Sequence, residues 1–246
     1  MHALLLALLF ATSATPPPIE RIAVPGSSAV FCLTRVPAEV LDSGATEAAY
    51  LLRFTEDGTD QALTPPIDLI DAVRKTSGAA LLGHGPIAEL NVQFVDRQVG
   101  FLYGFELGYG YFPFLFRTAD GGRSWTSSAP HKKGDPGWSY PFRKSDFFMF
   151  DGSRGIALTG GNDDTGLRYF ITTDSGVNWT KKDFKLSRPA LRILNDDRFL
   201  ATTFTREGKV TVSILDGGPR AEVPRPPLRV LQSDDFGLHF HELKVK

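Results

Sequence analysis

Two aspartates in this chain sit in the same local setting. Asp120 lies in TADGGRSW, Thr118 to Trp125, and Asp174 lies in TTDSGVNW, Thr172 to Trp179. Each stretch reads Thr-x-Asp-x-Gly-x-x-Trp. A repeated carboxylate can act as an acid or base, hold a cation, or accept hydrogen bonds from its own turn. The company these two keep favours the turn. A short carboxylate accepts from nearby backbone N–H groups. Gly122 and Gly176 supply a positive φ without a Cβ clash. Trp125 and Trp179 can cover the turn with a large apolar ring, and Thr118 and Thr172 can close it with a hydroxyl. Metal binding or catalysis is the competing reading of the same aspartates.

Other candidate groups form no complete constellation. His239 and His241 alternate in LHFHEL, which places them on one face of a strand. Such a pair suits zinc or copper, but no third ligand is identifiable. Asp163 and Asp164 in GGNDDTG lack the regular alternation of a calcium loop. There is no Gly-rich phosphate loop, no GxSxG and no HExxH. NWT at 178–180 matches a glycosylation sequon but falls inside the second Thr-x-Asp stretch. The expectation is therefore no catalytic residue, no metal and no cofactor.

The elements that must position these residues are repeats. VQFVDRQVGFLYG (92–104) and FFMFDGSRGIALTG (147–160) precede the two Thr-x-Asp stretches. Each has an apolar strand, an Asp, a Gly four residues on, and a second apolar strand. The pairs are Asp96/Gly100 and Asp151/Gly155. Weaker copies of the box are read at LLRFTEDGTDQA, with Thr55 and Asp57, and at VSILDGGPRA, with Asp216. First-half units are read at 24–33, 193–202 and 231–240. Short apolar strands parted by Gly/Asp turns imply antiparallel hairpins. Four strands per unit make a propeller blade, which needs neighbours to bury its faces.

The two full boxes resemble the Asp-box, or bacterial neuraminidase repeat, of β-propellers such as sialidases and photosystem II assembly factor-like proteins. The resemblance implies an all-β propeller of four-stranded antiparallel blades, five in number with six as the alternative. It also implies that the boxes stand at c–d turns, away from the binding face. Ligands would then meet the b–c turns and d–a connections. A sialidase-like hydrolase would need an arginine cluster, a Tyr–Glu nucleophile pair and an acid/base Asp. Here ERIAVPG places Ala23 where an Arg-Ile-Pro motif has proline, and no such constellation is assignable.

Three loops are expected on the binding face. GFELGYGYFPF (104–114) holds Glu106, Tyr109 and Tyr111. SSAPHKKGDPGWSYPFRKSD (127–146) holds His131, Lys132, Lys133, Asp135, Trp138, Tyr140 and Arg143. GGNDDTG holds Asp163 and Asp164. Aromatics with mixed charge suit a recognition surface, and a connection of this length is commonly functional. The segment 63–89 admits either a short helix, with Ile67, Ile70 and Val73 on one face, or a strand of an extra blade.

Composition bounds the remainder. The chain has 246 residues and a formal net charge of −1, so nothing draws it to nucleic acid. Residues 1–14, MHALLLALLFATSA, read as a signal peptide followed by one domain over 15–246. Secretion or a periplasmic location follows, with no membrane span after cleavage. The single Cys32 allows no internal disulfide. The expected function is non-catalytic binding of a macromolecule, a protein first and a polysaccharide second, in the manner of an inhibitor or immunity-type protein. A sialidase-like glycoside hydrolase or carbohydrate-binding protein is the alternative.

Overall fold

In the computed structural model, the described residues are 20–36, 49–56, 65–77, 87–107, 111–128, 146–159, 168–184, 200–214 and 229–244. They form sixteen strands and one helix. The first sheet runs β1 (Glu20–Ala23), β2 (Val30–Val36), β3 (Ala49–Thr55) and β4 (Ile67–Asp68). The second runs β5 (Ile87–Phe94), β6 (Gly100–Leu107), β7 (Tyr111–Thr118) and β8 (Thr126–Ser127). The third runs β9 (Phe147–Met149), β10 (Gly155–Thr159), β11 (Arg168–Thr172) and β12 (Thr180–Asp183). The fourth runs β13 (Leu200–Phe204), β14 (Val210–Ile214), β15 (Arg229–Ser233) and β16 (His241–Leu243). Every sheet has its strands in chain order, and the strand pairs with a resolved register are antiparallel. The chain is thus all-β and built of four-stranded propeller-type blades. Four such sheets occur among the described residues.

Two compact units divide the chain. One comprises Met1–Pro86, Phe94–Phe101 and Arg117–Thr126; the other comprises Ile87–Gln93, Leu102–Phe116 and Ser127–Lys246. In the first unit, β2 and β3 are buried on both faces, which is why VFCLTRV and AYLLRFT carry nearly continuous apolar runs. Phe31 stacks on Phe94 with centroids 3.6 Å apart. The fourth strand of this sheet is only two residues long. Helix α1 (Leu69–Ser77) follows at once, so the helix expected in 63–89 begins only at Leu69, Ile67 lies in β4, and residues 78–86 lie outside the described residues. Asp68 caps it, accepting from the N–H groups of Ile70 and Asp71 at 3.1 and 3.2 Å. Burial pushes the Asp68 carboxyl up, against these two bonds. Leu69, Ile70 and Val73 are buried, whereas Asp71 and Lys75 form an exposed i,i+4 pair.

The second unit holds an aromatic core. Phe150, Ile156, Leu158, Tyr169, Ile171, Val210, Val212 and Leu231 pack together. β14 shows why: Val210, Val212 and Ile214 are buried while Thr211 and Ser213 are half-buried, the period of two of a strand. Gln93 links β5 to β9 through its amide. It donates to the Met149 carbonyl (2.8 Å) and accepts from the Met149 N–H (2.9 Å).

The structure corrects the repeat assignment at the C-terminal end. Residues 231–240 do not open a blade; they end β15 and make the turn into β16. The first two strands of the fourth sheet are β13 and β14, so Val212–Ile214 of VSILDGGPRA ends a second strand, and Asp216 lies outside the described residues. The segments 20–36 and 229–243 belong to different sheets.

Candidate functional site: three corners of one design

Three c–d turns are described, and they are built alike. Each starts with a hydroxyl at the last residue of a third strand: Thr118, Thr172 and Ser233. That hydroxyl donates to Oδ1 of the aspartate two residues on, at 2.8 Å to Asp120, 2.9 Å to Asp174 and 2.7 Å to Asp235. It also accepts from the N–H of the glycine four residues on, at 2.9, 2.9 and 3.0 Å. Oδ1 then accepts from the N–H six residues after the hydroxyl, at Ser124, Asn178 and His239, each at 2.9 Å. Oδ2 takes the side chain of that same residue: Ser124 Oγ at 2.5 Å, Asn178 Nδ2 at 2.8 Å and His239 Nδ1 at 2.7 Å. Both oxygens of each aspartate are therefore engaged.

The backbone explains the glycines. Positions three and four of each corner take positive φ: Gly121 and Gly122 at 71° and 91°, Ser175 and Gly176 at 62° and 74°, Phe236 and Gly237 at 62° and 82°. At Gly122 and Gly237 space is also tight. A Cβ on Gly122 would come within 2.9 Å of Leu52, and one on Gly237 within 2.7 Å of Ile156. The third position tolerates Ser175 and Phe236, each at the strain of a non-glycine residue in this region. Its N–H is bonded in every case, from Gly121 to Gln98 O, Ser175 to Ser153 O and Phe236 to Gly208 O, at 2.8–2.9 Å. These bonds place the a–b turn beside the c–d turn at one end of the second, third and fourth sheets.

Carboxyl acidity follows from the bonds. Partial burial opposes ionisation of Asp120, but the Ser124, Thr118 and Arg123 groups outweigh it and hold the carboxyl below the usual range. The N–H of Asn178 is the main influence on Asp174, which is also lowered. Burial works against Asp235, and the His239 and Ser233 bonds reverse it. Asp151, in the a–b turn of the third sheet, behaves likewise. Burial is overcome by bonds from Arg154 and Ser153, and its value falls to about 2.

The aromatic of each corner differs. Trp125 is fully buried, and its Nε1 donates to Gly122 O at 2.9 Å. Its backbone is held by α1: the Trp125 N–H donates to Thr76 Oγ1 (2.9 Å), and the Thr76 hydroxyl reaches Trp125 O (2.8 Å). Trp179 is half-buried, and its Nε1 donates to Ser128 Oγ at 3.4 Å. Ser128 in turn donates to Gly176 O. Phe240 fills the place in the third corner, edge-on to Tyr169 and Phe184.

Ser233, Asp235, Gly237 and Phe240 were legible as Ser-x-Asp-x-Gly-x-x-Phe, had Ser been allowed for Thr and Phe for Trp. Thr76 and Ser128 gave no sequence signal. His239 does not share a strand face with His241; it lies in the corner, bonded to Asp235, and β16 begins only at His241.

Of the expected binding residues, few are described. Tyr109, His131, Lys132, Lys133, Asp135, Trp138, Tyr140, Arg143, Asp163 and Asp164 lie outside the described residues. Tyr111 opens β7. Glu106 is in β6 and buried at 2% exposure, inside the sheet and not in a surface loop. Strands claim residues 104–107 and 111–114 of the expected 104–114 loop, and 108–110 lie outside the described residues. Among the described residues no group of three or more His, Cys, Asp or Glu side chains is placed to hold a metal, and no helix is long and apolar enough to cross a membrane.

No family model matches this chain, and no curated protein matches it. Among solved structures it is similar to the GH74 xyloglucanase of Xanthomonas campestris, at 15% identity and a TM-score of 0.35. The likeness covers 92% of this chain and 38% of that one, so the chain spans well under half of its length. At that level the likeness carries no argument about chemistry.

Proposed function

We propose that this chain is an exported, non-catalytic scaffold of Asp-box type whose b–c and d–a connections bind a protein partner, in the manner of an inhibitor or immunity-type protein. One observation carries the reading. Each corner carboxylate spends both oxygens on its own turn. These aspartates therefore stabilise the corner and are not poised for proton transfer, which needs a group within reach of a substrate. In the three described corners the a–b and c–d turns share one end of their sheet, which supports recognition by the connections at the other end. Those connections carry Trp138, Tyr140 and the Lys132/Lys133 pair, residue types suited to anchoring a partner.

The test removes Gly134 to Tyr140 and compares capture from an envelope extract with thermal melting. The reading expects a partner held by the full chain and lost by the shortened one, at an unchanged melting temperature. Equal capture by both proteins overturns it. Turnover of a fluorogenic sialoside or a β-glucan by the full chain would reinstate the glycoside hydrolase alternative.

A further inference from the structure

The three corners use one bond, made by three different donors. Oδ2 of the aspartate is met by Ser124 in the second sheet, Asn178 in the third and His239 in the fourth. Serine and asparagine keep one charge state at any ordinary pH. Imidazole changes its charge between about pH 5 and 8. His239 Nδ1 stands 2.7 Å from Asp235 Oδ2, and its ring is 87% exposed, so protons reach it freely.

We propose that the fourth corner is the proton-responsive member of the set, in which protonation of His239 turns its hydrogen bond to the Asp235 carboxylate from one with an uncharged donor into an ion pair. In neutral imidazole the proton must sit on Nδ1 for the bond to form, because the carboxylate only accepts. Protonation then adds a proton at Nε2 and leaves the Nδ1–H bond in place with charge behind it. No bond is exchanged and the corner keeps its shape; only its strength changes.

The elements packed on this corner bring charges of their own. The a–b turn of the same sheet, joined through Phe236 N to Gly208 O, carries Arg206, Glu207 and Lys209. Arg154 lies 3.5 Å above the Phe236 ring and is paired with Asp151. Asp234 takes the Gln232 amide, and β16 brings His241 and Glu242, the latter paired with Arg229. Of these only His241 is also an imidazole, so it is the control.

The test is amide hydrogen exchange read as protection factors, which removes the intrinsic pH dependence. The amides are Gly237, bonded to Ser233 Oγ, and His239, bonded to Asp235 Oδ1. Their protection is expected to rise about two- to fivefold between pH 8 and 5.5, the range of an exposed ion pair. Gly122 and Gly176 are expected to stay flat. His239→Asn, which copies the third-sheet corner, is expected to flatten the fourth, and His241→Asn to leave it rising. A flat wild-type response overturns the proposal, as does a rise that survives His239→Asn. Should His239→Asn fail to fold, ring nitrogen shifts of wild-type His239 decide. A dominant Nδ1–H tautomer at pH 8 supports the proposal, and a dominant Nε2–H tautomer overturns it.

Discussion

The corners closed by Trp125 and Trp179 have the same polar network to within 0.1 Å in most bonds, yet their tryptophans live differently. Trp125 is sealed in, bonded to its own glycine carbonyl and pinned through its backbone by α1. Trp179 is half-buried and hangs on a long bond to Ser128. The lesson is that Thr, Asp and Gly define the turn, while the ring answers to its neighbours. A short motif can therefore keep its hydrogen bonds and still contribute unequal stability at different sites.

The sharpest way to break this comparison is to delete both rings. Trp125→Ala removes a fully buried indole and should cost about 3–5 kcal/mol. Trp179→Ala should cost clearly less, because part of its ring already meets water. Equal losses by denaturant titration would mean that burial is not what separates the two corners.

The aspartates come next, and here the corners should agree. Asp120→Ala leaves two hydroxyls and one N–H short of an acceptor, and Asp174→Ala one hydroxyl and two N–H groups, at about 1–3 kcal/mol apiece. A smaller effect is expected at the joint with the helix. Thr76→Val removes the hydroxyl that serves the Trp125 N–H and carbonyl, and should cost about 1 kcal/mol. It should leave the Trp179 corner untouched by amide exchange.

Acid provides a third discrimination. Asp120, Asp151, Asp174 and Asp235 all ionise more readily in the folded chain than as free aspartates. Their stabilisation is thus fully present above about pH 4, the ordinary aspartate value. It is lost as pH falls through the folded values, which for Asp151 means about 2. Melting temperatures followed downward from about pH 5 should fall steeply in the wild type. They should fall less steeply in Asp151→Asn, which no longer has that proton to bind.

The sequence made the corner readable because its chemistry is local. A hydroxyl, a carboxylate and a glycine within five residues satisfy one another without help from distant strands, so Thr118 to Gly122 announces its own geometry. The third corner was misassigned because Ser233 and Phe240 replace the expected Thr and Trp while Asp216-Gly217-Gly218 offered a more familiar turn composition. Strand register, which rejects that choice, is a long-range property. Glu106 was read as loop for the same reason: GFELGYG looks like a turn by composition, but pairing extends β6 through Leu107. Thr76 and Ser128 act across 49 and 51 residues of chain, a separation no local pattern reveals.

Asp235 is a corner aspartate equal to Asp120 and Asp174, and the adjacent Asp234 gives the most direct measurement of that equality. Asp234 is exposed and, among the described residues, bonded only to the Gln232 amide, whereas Asp235 holds three groups of the turn. Asp235→Asn should lower the melting temperature by as much as Asp174→Asn, and Asp234→Asn should leave it where it was. Equal losses from the two neighbours, or none from Asp235→Asn, would contradict the shared design.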